Sequence, residues 1–135
     1  DGYIYFHEFG QDDGSTSPAS PIAAFIESSP IEIGQGDQFG FVWRMIPDLD
    51  FRNSSNPNPT VDLTLEAQDF SGSTFSQSAN NNTTRTATVP VEQFTEQTYF
   101  RLRGRMLSLR VESSAAGVAW RLGVPRIDVR PDGRR

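Results

Sequence analysis

The run Thr60-Val61-Asp62-Leu63-Thr64-Leu65-Glu66-Ala67 is the clearest indication of the fold, because apolar and polar residues alternate in it without a break. In an extended chain every second side chain points to the same side. One side of this run is therefore wholly apolar, and the other is polar or charged. The pattern predicts a β-strand with one face in the core and the other in solvent.

Two further runs share this period of two. Residues 106–112 place Leu107, Leu109 and Val111 on one side. Residues 39–46 place Phe39, Phe41, Trp43 and Met45 on one side, and Pro47 ends the run because proline has no amide hydrogen for a neighbouring strand. The three runs predict a core that includes Phe41, Trp43, Leu63, Leu65, Leu107, Leu109 and Val111.

Shorter apolar stretches predict further strands at residues 3–9, 22–27, 31–33, 84–91, 99–103, 119–122 and 127–130. Gly, Pro, Asn and Ser are concentrated between them, at residues 14–21, 34–37, 53–59, 71–82, 115–117 and 131–133. No stretch has a helical period of useful length. Many short strands separated by turn residues predict an all-β fold, an antiparallel, jelly-roll-like β-sandwich with long polar loops.

Length and composition limit the possibilities further. The chain has 135 residues, of which 36% are hydrophobic and none is cysteine. This length predicts a single domain over residues 1–135, and the lack of cysteine excludes a disulfide scaffold and thiolate chemistry. No apolar run approaches the roughly 20 residues that cross a bilayer. Because the sequence opens on Asp1-Gly2-Tyr3 without a methionine, we expect it to be a piece of a longer protein.

The net charge of −5 is unevenly distributed along the chain. Residues 1–69 hold twelve acidic residues against Arg44 and Arg52, whereas residues 70–135 hold five acidic residues against ten arginines. All the basic residues are arginine, whose planar guanidinium favours two-pronged pairing with carboxylates. Two interpretations remain open: the halves pair their charges within one domain, or opposite charges meet across copies in an assembly.

Few residues suit catalysis or metal binding. His7 is the one histidine, and on a strand its side chain would point away from that of Glu8. The acidic groups at residues 12–15 and 48–50 lack the spacing and the distal Glu of a calcium loop. We therefore predict no catalytic residue, no metal, no cofactor and no enzyme activity. A glycan hydrolase with paired carboxylates is the third-ranked alternative.

Two other residue groups invite a binding role. The alternation of Arg101, Arg103 and Arg105, followed by Arg110, predicts a basic stripe on one sheet face. Such a stripe suits phosphates, but the acidic composition favours ion pairing within or between subunits. Trp43 and Trp120 suit sugar stacking, and their places in strand patterns suit a core or interface edge equally well.

Several stretches resemble one group of proteins. Residues 104–113 (GRMLSLRVES), 117–123 (GVAWRLG) and 125–135 (PRIDVRPDGRR) are similar to the closing segment of tailed-bacteriophage virion proteins. Residues 26–28 (IES), 33–39 (IGQGDQF) and 46–48 (IPD) resemble the segment that precedes this ending. The resemblance implies the C-terminal domain of a larger short-tail protein, a hub or nozzle that forms a ring below the portal.

The resemblance implies a structural role without catalytic residues. The expected partners are copies of the chain in a ring, other tail or portal-adaptor proteins, and DNA that passes through without sequence-specific binding. The expected location is the virion, after assembly in the host bacterial cytoplasm. Joined to the charge split, it predicts intersubunit contacts by Arg101, Arg103, Arg105, Arg110, Arg121 and Arg126. The alternative function is a carbohydrate- or receptor-binding β-sandwich of a phage fibre or bacterial surface protein.

Overall fold

The computed structural model describes residues 2, 4, 10–69 and 84–134, and within them every regular element is a β-strand. The strands are β1 (Asp12–Asp13), β2 (Ser20–Pro21), β3 (Ala24–Glu27), β4 (Ile31–Glu32), β5 (Gly40–Ile46), β6 (Leu49–Asp50), β7 (Thr60–Gln68), β8 (Thr84–Glu92), β9 (Thr98–Gly104), β10 (Met106–Ser113), β11 (Arg121–Leu122) and β12 (Arg126–Pro131). The predicted all-β class is confirmed. Apart from Ile4, the strand predicted at residues 3–9 lies outside the described residues. The described residues include no helix that is long and apolar enough to cross a membrane.

The larger sheet is built around the two most strictly alternating strands, β7 and β10. Its order is β3-β10-β7-β8, and β4 also pairs with β10. Every pair is antiparallel, and Leu65 lies between Leu109 on β10 and Ala87 on β8. Strands β3 and β4 run along one edge of β10. In the gap between them, Ser28 donates its amide hydrogen to the Leu109 carbonyl at 2.9 Å, and its Oγ accepts from the Leu109 amide at 3.0 Å.

The smaller of the two main sheets has the order β12-β5-β9. In it, the core differs from the prediction. Phe41 and Trp43 are half-buried, whereas Val42 and Met45 are fully buried. The pairing register of β5 shifts around Trp43 on both sides, which marks a β-bulge. An extra residue reverses the alternation beyond it, so an uninterrupted period of two assigns the wrong faces. The inward placement of Phe41 and Trp43 was therefore wrong, and both lie on the outer side.

The inner faces of the two sheets share one hydrophobic core, as in a β-sandwich. The prediction for β7 is confirmed, because Val61, Leu63, Leu65 and Ala67 are all fully buried. On β10, Leu107 and Val111 are buried, and Leu109 packs against the core while remaining half-buried. The smaller sheet contributes Val42, Met45, Phe100 and Leu102. The jelly-roll connectivity stays a prediction.

The sandwich is closed along one side and open along the other. Gly104 and Arg105 carry the chain from β9 in the smaller sheet directly to β10 in the larger one. On the same side, Arg85 Nη1 on β8 donates to the Arg103 carbonyl on β9 at 3.1 Å. Across the molecule, β4 and β12 flank a cavity of about 230 Å³, lined chiefly by Ile31, Ile33, Leu65, Leu107, Leu109, Ile127 and Val129.

Candidate interaction faces

The outer face of the larger sheet is strongly acidic. Cross-strand register places the polar positions of β7 beside those of β8 and β10, and those of β3 and β4 beside β10, all on the side opposite the buried positions. Six carboxylates lie at these positions, and Arg110 is the one cation among the described strand residues there. We call this surface the acidic face; its carboxylates are Glu27, Glu32, Asp62, Glu66, Glu92 and Glu112.

Arg110 neutralises part of the acidic face. Its Nη1 lies 2.6 Å from Glu27 Oε2, and its Nε lies 3.0 Å from Glu112 Oε2. Its guanidinium also lies over the Phe25 ring, 3.9 Å from the centroid. The hydrogen bond from Arg110 lowers the pKa of Glu112. The remaining acidic residues of this face lack an equivalent guanidinium partner among the described residues.

Glu66 lies near the centre of the acidic face. Burial is the main cause of its raised pKa, and the nearby Glu27 carboxylate adds to the effect. A hydrogen bond from Ser108 Oγ to Glu66 Oε2, at 3.4 Å, opposes the shift of this pKa. The charged form of Glu66 is therefore destabilised in a single copy, and a cation placed over it would relieve that cost.

The outer face of the smaller sheet has the opposite sign. On β9 the buried residues alternate with Tyr99, Arg101 and Arg103, and on β12 the outward positions are Arg126, Asp128 and Arg130. Arg44 joins them from β5. We call this surface the arginine face; its arginines are Arg44, Arg101, Arg103, Arg126 and Arg130, and Asp128 is the one acid on its strands.

Two of these arginines are engaged within the chain. Arg44 Nε donates to Asp128 Oδ2 at 2.5 Å, and Arg44 Nη1 donates to Gln97 Oε1 at 3.4 Å. Arg103 forms an ion pair with Asp132 and also donates from Nη2 to the Asp132 carbonyl at 3.0 Å. Among the described residues, no carboxylate lies within 4.0 Å of the guanidinium groups of Arg101, Arg126 or Arg130. These three arginines are exposed and are available to an external anion.

Aromatic rings support the arginine face. The guanidinium groups of Arg44 and Arg130 each lie 4.8 Å from the ring centroid of Trp43. Such contacts hold an arginine in place and reduce the conformational freedom that it would lose on binding. Trp120 instead donates from Nε1 to Ser113 Oγ at 2.9 Å and packs against the core. Both tryptophans thus make contacts within the chain.

The predicted basic stripe does not exist as one surface. Arg101 and Arg103 share the arginine face, but Arg105 lies in the connection between the two sheets, where it donates to the Arg134 carbonyl at 2.9 Å. Arg110 lies beyond that connection, on the acidic face. Of the other predicted contact residues, Arg126 lies on the arginine face, and Arg121 is exposed on β11, opposite Asp50 on β6.

The acidic groups considered for metal binding hold loops in place. Asp12 Oδ1 and Oδ2 both accept the Gly117 amide hydrogen at 2.8 Å, and Asp48 Oδ2 accepts that of Val124 at 2.6 Å. Hydrogen bonds from Arg52 lower the pKa of Asp50, and hydrogen bonding from Ser15 lowers that of Asp13. Within the described ranges, no three or more metal-ligating side chains come together. His7 lies outside those ranges.

The two charged faces are the feature that the sequence reasoning missed. The signal was present: residues 62–66 read DLTLE and residues 126–130 read RIDVR, so each alternation puts its charges on one side. Counting charges by chain halves concealed it, because β10 carries Arg110 and Glu112 of the second half to the acidic face.

Comparison with protein-family models and with curated proteins finds no match.

Proposed function

We propose that this chain is a structural component of a bacteriophage tail, a hub- or nozzle-type ring protein through which DNA passes. Its partners are other copies of itself and neighbouring tail or portal-adaptor proteins, assembled in the host bacterial cytoplasm into the virion. The single observation that carries the proposal is the pair of outer faces with opposite charge. The resemblance of residues 104–113, 117–123 and 125–135 to the closing segment of tailed-bacteriophage virion proteins supplies the class of assembly.

The faces support a ring for a symmetry reason. A cyclic assembly larger than a dimer joins each copy to the next through two different surfaces. Opposite charge on the two outer faces makes contact between unlike faces attractive and contact between like faces repulsive. Self-association of such a sandwich therefore favours a head-to-tail arrangement, which closes into a ring when the rotation between copies permits.

The chemistry of the described side chains also favours a structural role. Asp12 and Asp48 accept backbone amide hydrogens, and Asp50 is paired with Arg52. Carboxylates held in this way stabilise loops and are not poised as an acid and base pair. We therefore propose a protein that binds other proteins and does not catalyse a reaction.

Labelling of virions tests the proposal. An antibody raised against this chain should label the tail end of purified phage particles in electron micrographs, and the purified protein should form multi-copy assemblies in native mass spectrometry at low salt. Labelling confined to the bacterial surface, or saturable binding to a glycan array by a protein that stays monomeric, would contradict the proposal in favour of a receptor-binding role.

A further inference from the structure

Each face carries charges that have no ion-pair partner among the residues that the structure describes. On the arginine face these are Arg101, Arg126 and Arg130, all exposed. On the acidic face, Asp62 and Glu92 are exposed and have no ion-pair partner among the described residues. Unpaired charges of opposite sign thus lie on the two broad surfaces of the same sandwich.

The spacing of these charges matches. Arg126 and Arg130 stand four residues apart on β12, and Asp62 and Glu66 stand four residues apart on β7. Four residues of a β-strand span about 13 Å, so the two pairs have nearly the same separation. Two cations on one face can therefore lie opposite two carboxylates on the other at the same time.

The residues between the two arginines and between the two carboxylates do not repel each other in this alignment. Asp128, between the two arginines, is already paired with Arg44. Thr64, between the two carboxylates, is uncharged and forms a hydroxyl–hydroxyl hydrogen bond of 2.9 Å with Thr88. Neither middle residue brings an unpaired charge of the wrong sign to the contact.

We infer that the arginine face of one copy docks on the acidic face of a second copy, with Arg126 and Arg130 opposite Asp62 and Glu66. The inference rests on the proposed function in one respect, since it identifies the surfaces by which copies of a ring protein would join. Glu66 gains most from the contact, because its charge is poorly solvated in the single copy.

A second copy fits these surfaces better than a nucleic acid does. A phosphate backbone would satisfy the arginine face, but the acidic face and the net charge of −5 would repel it. A second copy satisfies one face of each molecule and leaves the other two free to continue the assembly.

The test uses two complementary double variants of the whole chain. Arg126→Gln/Arg130→Gln removes the cations of one face, and Asp62→Asn/Glu66→Gln removes the carboxylates of the other. Each variant alone should show a dissociation constant at least about tenfold higher than the parent. A one-to-one mixture should form heterodimers and nothing larger, because only one intact arginine face and one intact acidic face remain. Native mass spectrometry at low salt counts the copies.

Matched controls keep the result interpretable. Arg121→Gln/Arg134→Gln removes two exposed positive charges outside the arginine face, and this variant should assemble like the parent. Circular dichroism at about 0.5 M salt, where copies do not associate, should show the same unfolding temperature for all variants except for a small rise with Asp62→Asn/Glu66→Gln, because the other changes are on the surface. A fluorescent DNA duplex should not bind the parent under the same conditions.

Four outcomes are informative. If the parent assembles and both double variants assemble equally well, the faces are not the interface, although a ring through other surfaces survives. If the parent stays monomeric at every concentration and salt, both the interface and the ring are contradicted. If Arg126→Gln/Arg130→Gln abolishes binding of the duplex and leaves assembly unchanged, the arginine face serves a nucleic acid. If each double variant assembles poorly by itself and their one-to-one mixture forms heterodimers, the inference is supported.

Discussion

Replacing Gly104 by alanine should destabilise the sandwich, because this glycine lies where the chain crosses from the smaller sheet to the larger one. A Cβ atom at residue 104 would lie 2.9 Å from Ala67 Cβ, 2.9 Å from the Gln68 carbonyl oxygen and 3.0 Å from the Gln68 nitrogen. All three atoms belong to the backbone of β7 or are fixed to it. The methyl group therefore has to push the crossing away from the core strand.

Gly40 provides a control of similar crowding but different neighbours. A Cβ atom there would lie 2.6 Å from Val129 Cγ1 and 2.8 Å from Ile33 Cδ1. These atoms, together with Ile33 Cγ2 at 3.0 Å, belong to side chains and not to the backbone, and both residues line the cavity of about 230 Å³, so they have room to shift. Overpacking against rigid neighbours costs about 1–3 kcal/mol, whereas relaxation into open space should keep the cost of Gly40→Ala below about 1 kcal/mol.

Urea denaturation followed by tryptophan fluorescence measures both costs. About 0.5 M salt in the buffer prevents association between copies from adding to the measured stability. At this chain length each kcal/mol lost also lowers the unfolding temperature by roughly 4 °C. Equal losses for Gly104→Ala and Gly40→Ala, or a loss below about 0.5 kcal/mol for Gly104→Ala, would refute the close crossing of the two sheets.

Three further variants test the core and the acidic face. Leu63→Ala should lower the free energy of unfolding by about 2–5 kcal/mol, because it empties a fully buried site, and Leu109→Ala should cost less; urea denaturation compares them. Arg110→Gln should raise the pKa of Glu112, because the hydrogen bond and the positive charge that lower it are lost while its partial burial remains. A lowered pKa stabilises the fold above about pH 4.3 and this effect disappears as the pH falls, so the variant should lose less stability on acidification in a pH titration of unfolding. Glu66→Gln should raise stability at pH 7 and not at low pH, because burial raises the pKa of Glu66 and only its charged form is costly; the same titration would contradict this if the variant were less stable at pH 7.

The strand pattern could be predicted from the sequence where the ladder is regular. Strand β7 alternates without a bulge, so the inward residues Leu63 and Leu65 followed directly from the period of two. On β5 the same reasoning misplaced Phe41 and Trp43, because a bulge reverses the alternation and nothing in the local sequence marks it. A shift of one residue is invisible until the partner strands are known.

The charged faces could be predicted only in part. The alternation of charge along single strands is readable in the sequence, but which strands share a face depends on pairing between residues far apart. The order of arginines along the chain predicts one stripe that includes Arg103 and Arg110. The crossing at Gly104 and Arg105 puts them on opposite sides of the sandwich instead. The face on which each arginine lies is therefore determined by the sheet to which its strand belongs, and not by its residue type.

Cross-linking through introduced cysteines tests the docking of unlike faces most directly. Thr64 and Asp128 occupy the middle of the two charge pairs, so they lie opposite each other whichever direction the strands run. Because the chain has no cysteine, Thr64→Cys and Asp128→Cys create the only thiols. A bis-maleimide of about 10 Å span, the usual separation of packed sheets, should link the two variants into a covalent heterodimer at low salt. It should not link Thr64→Cys to itself or to the loop variant Ala115→Cys. A mixture without heterodimer, or linkage of Thr64→Cys to itself with equal yield, would contradict head-to-tail docking.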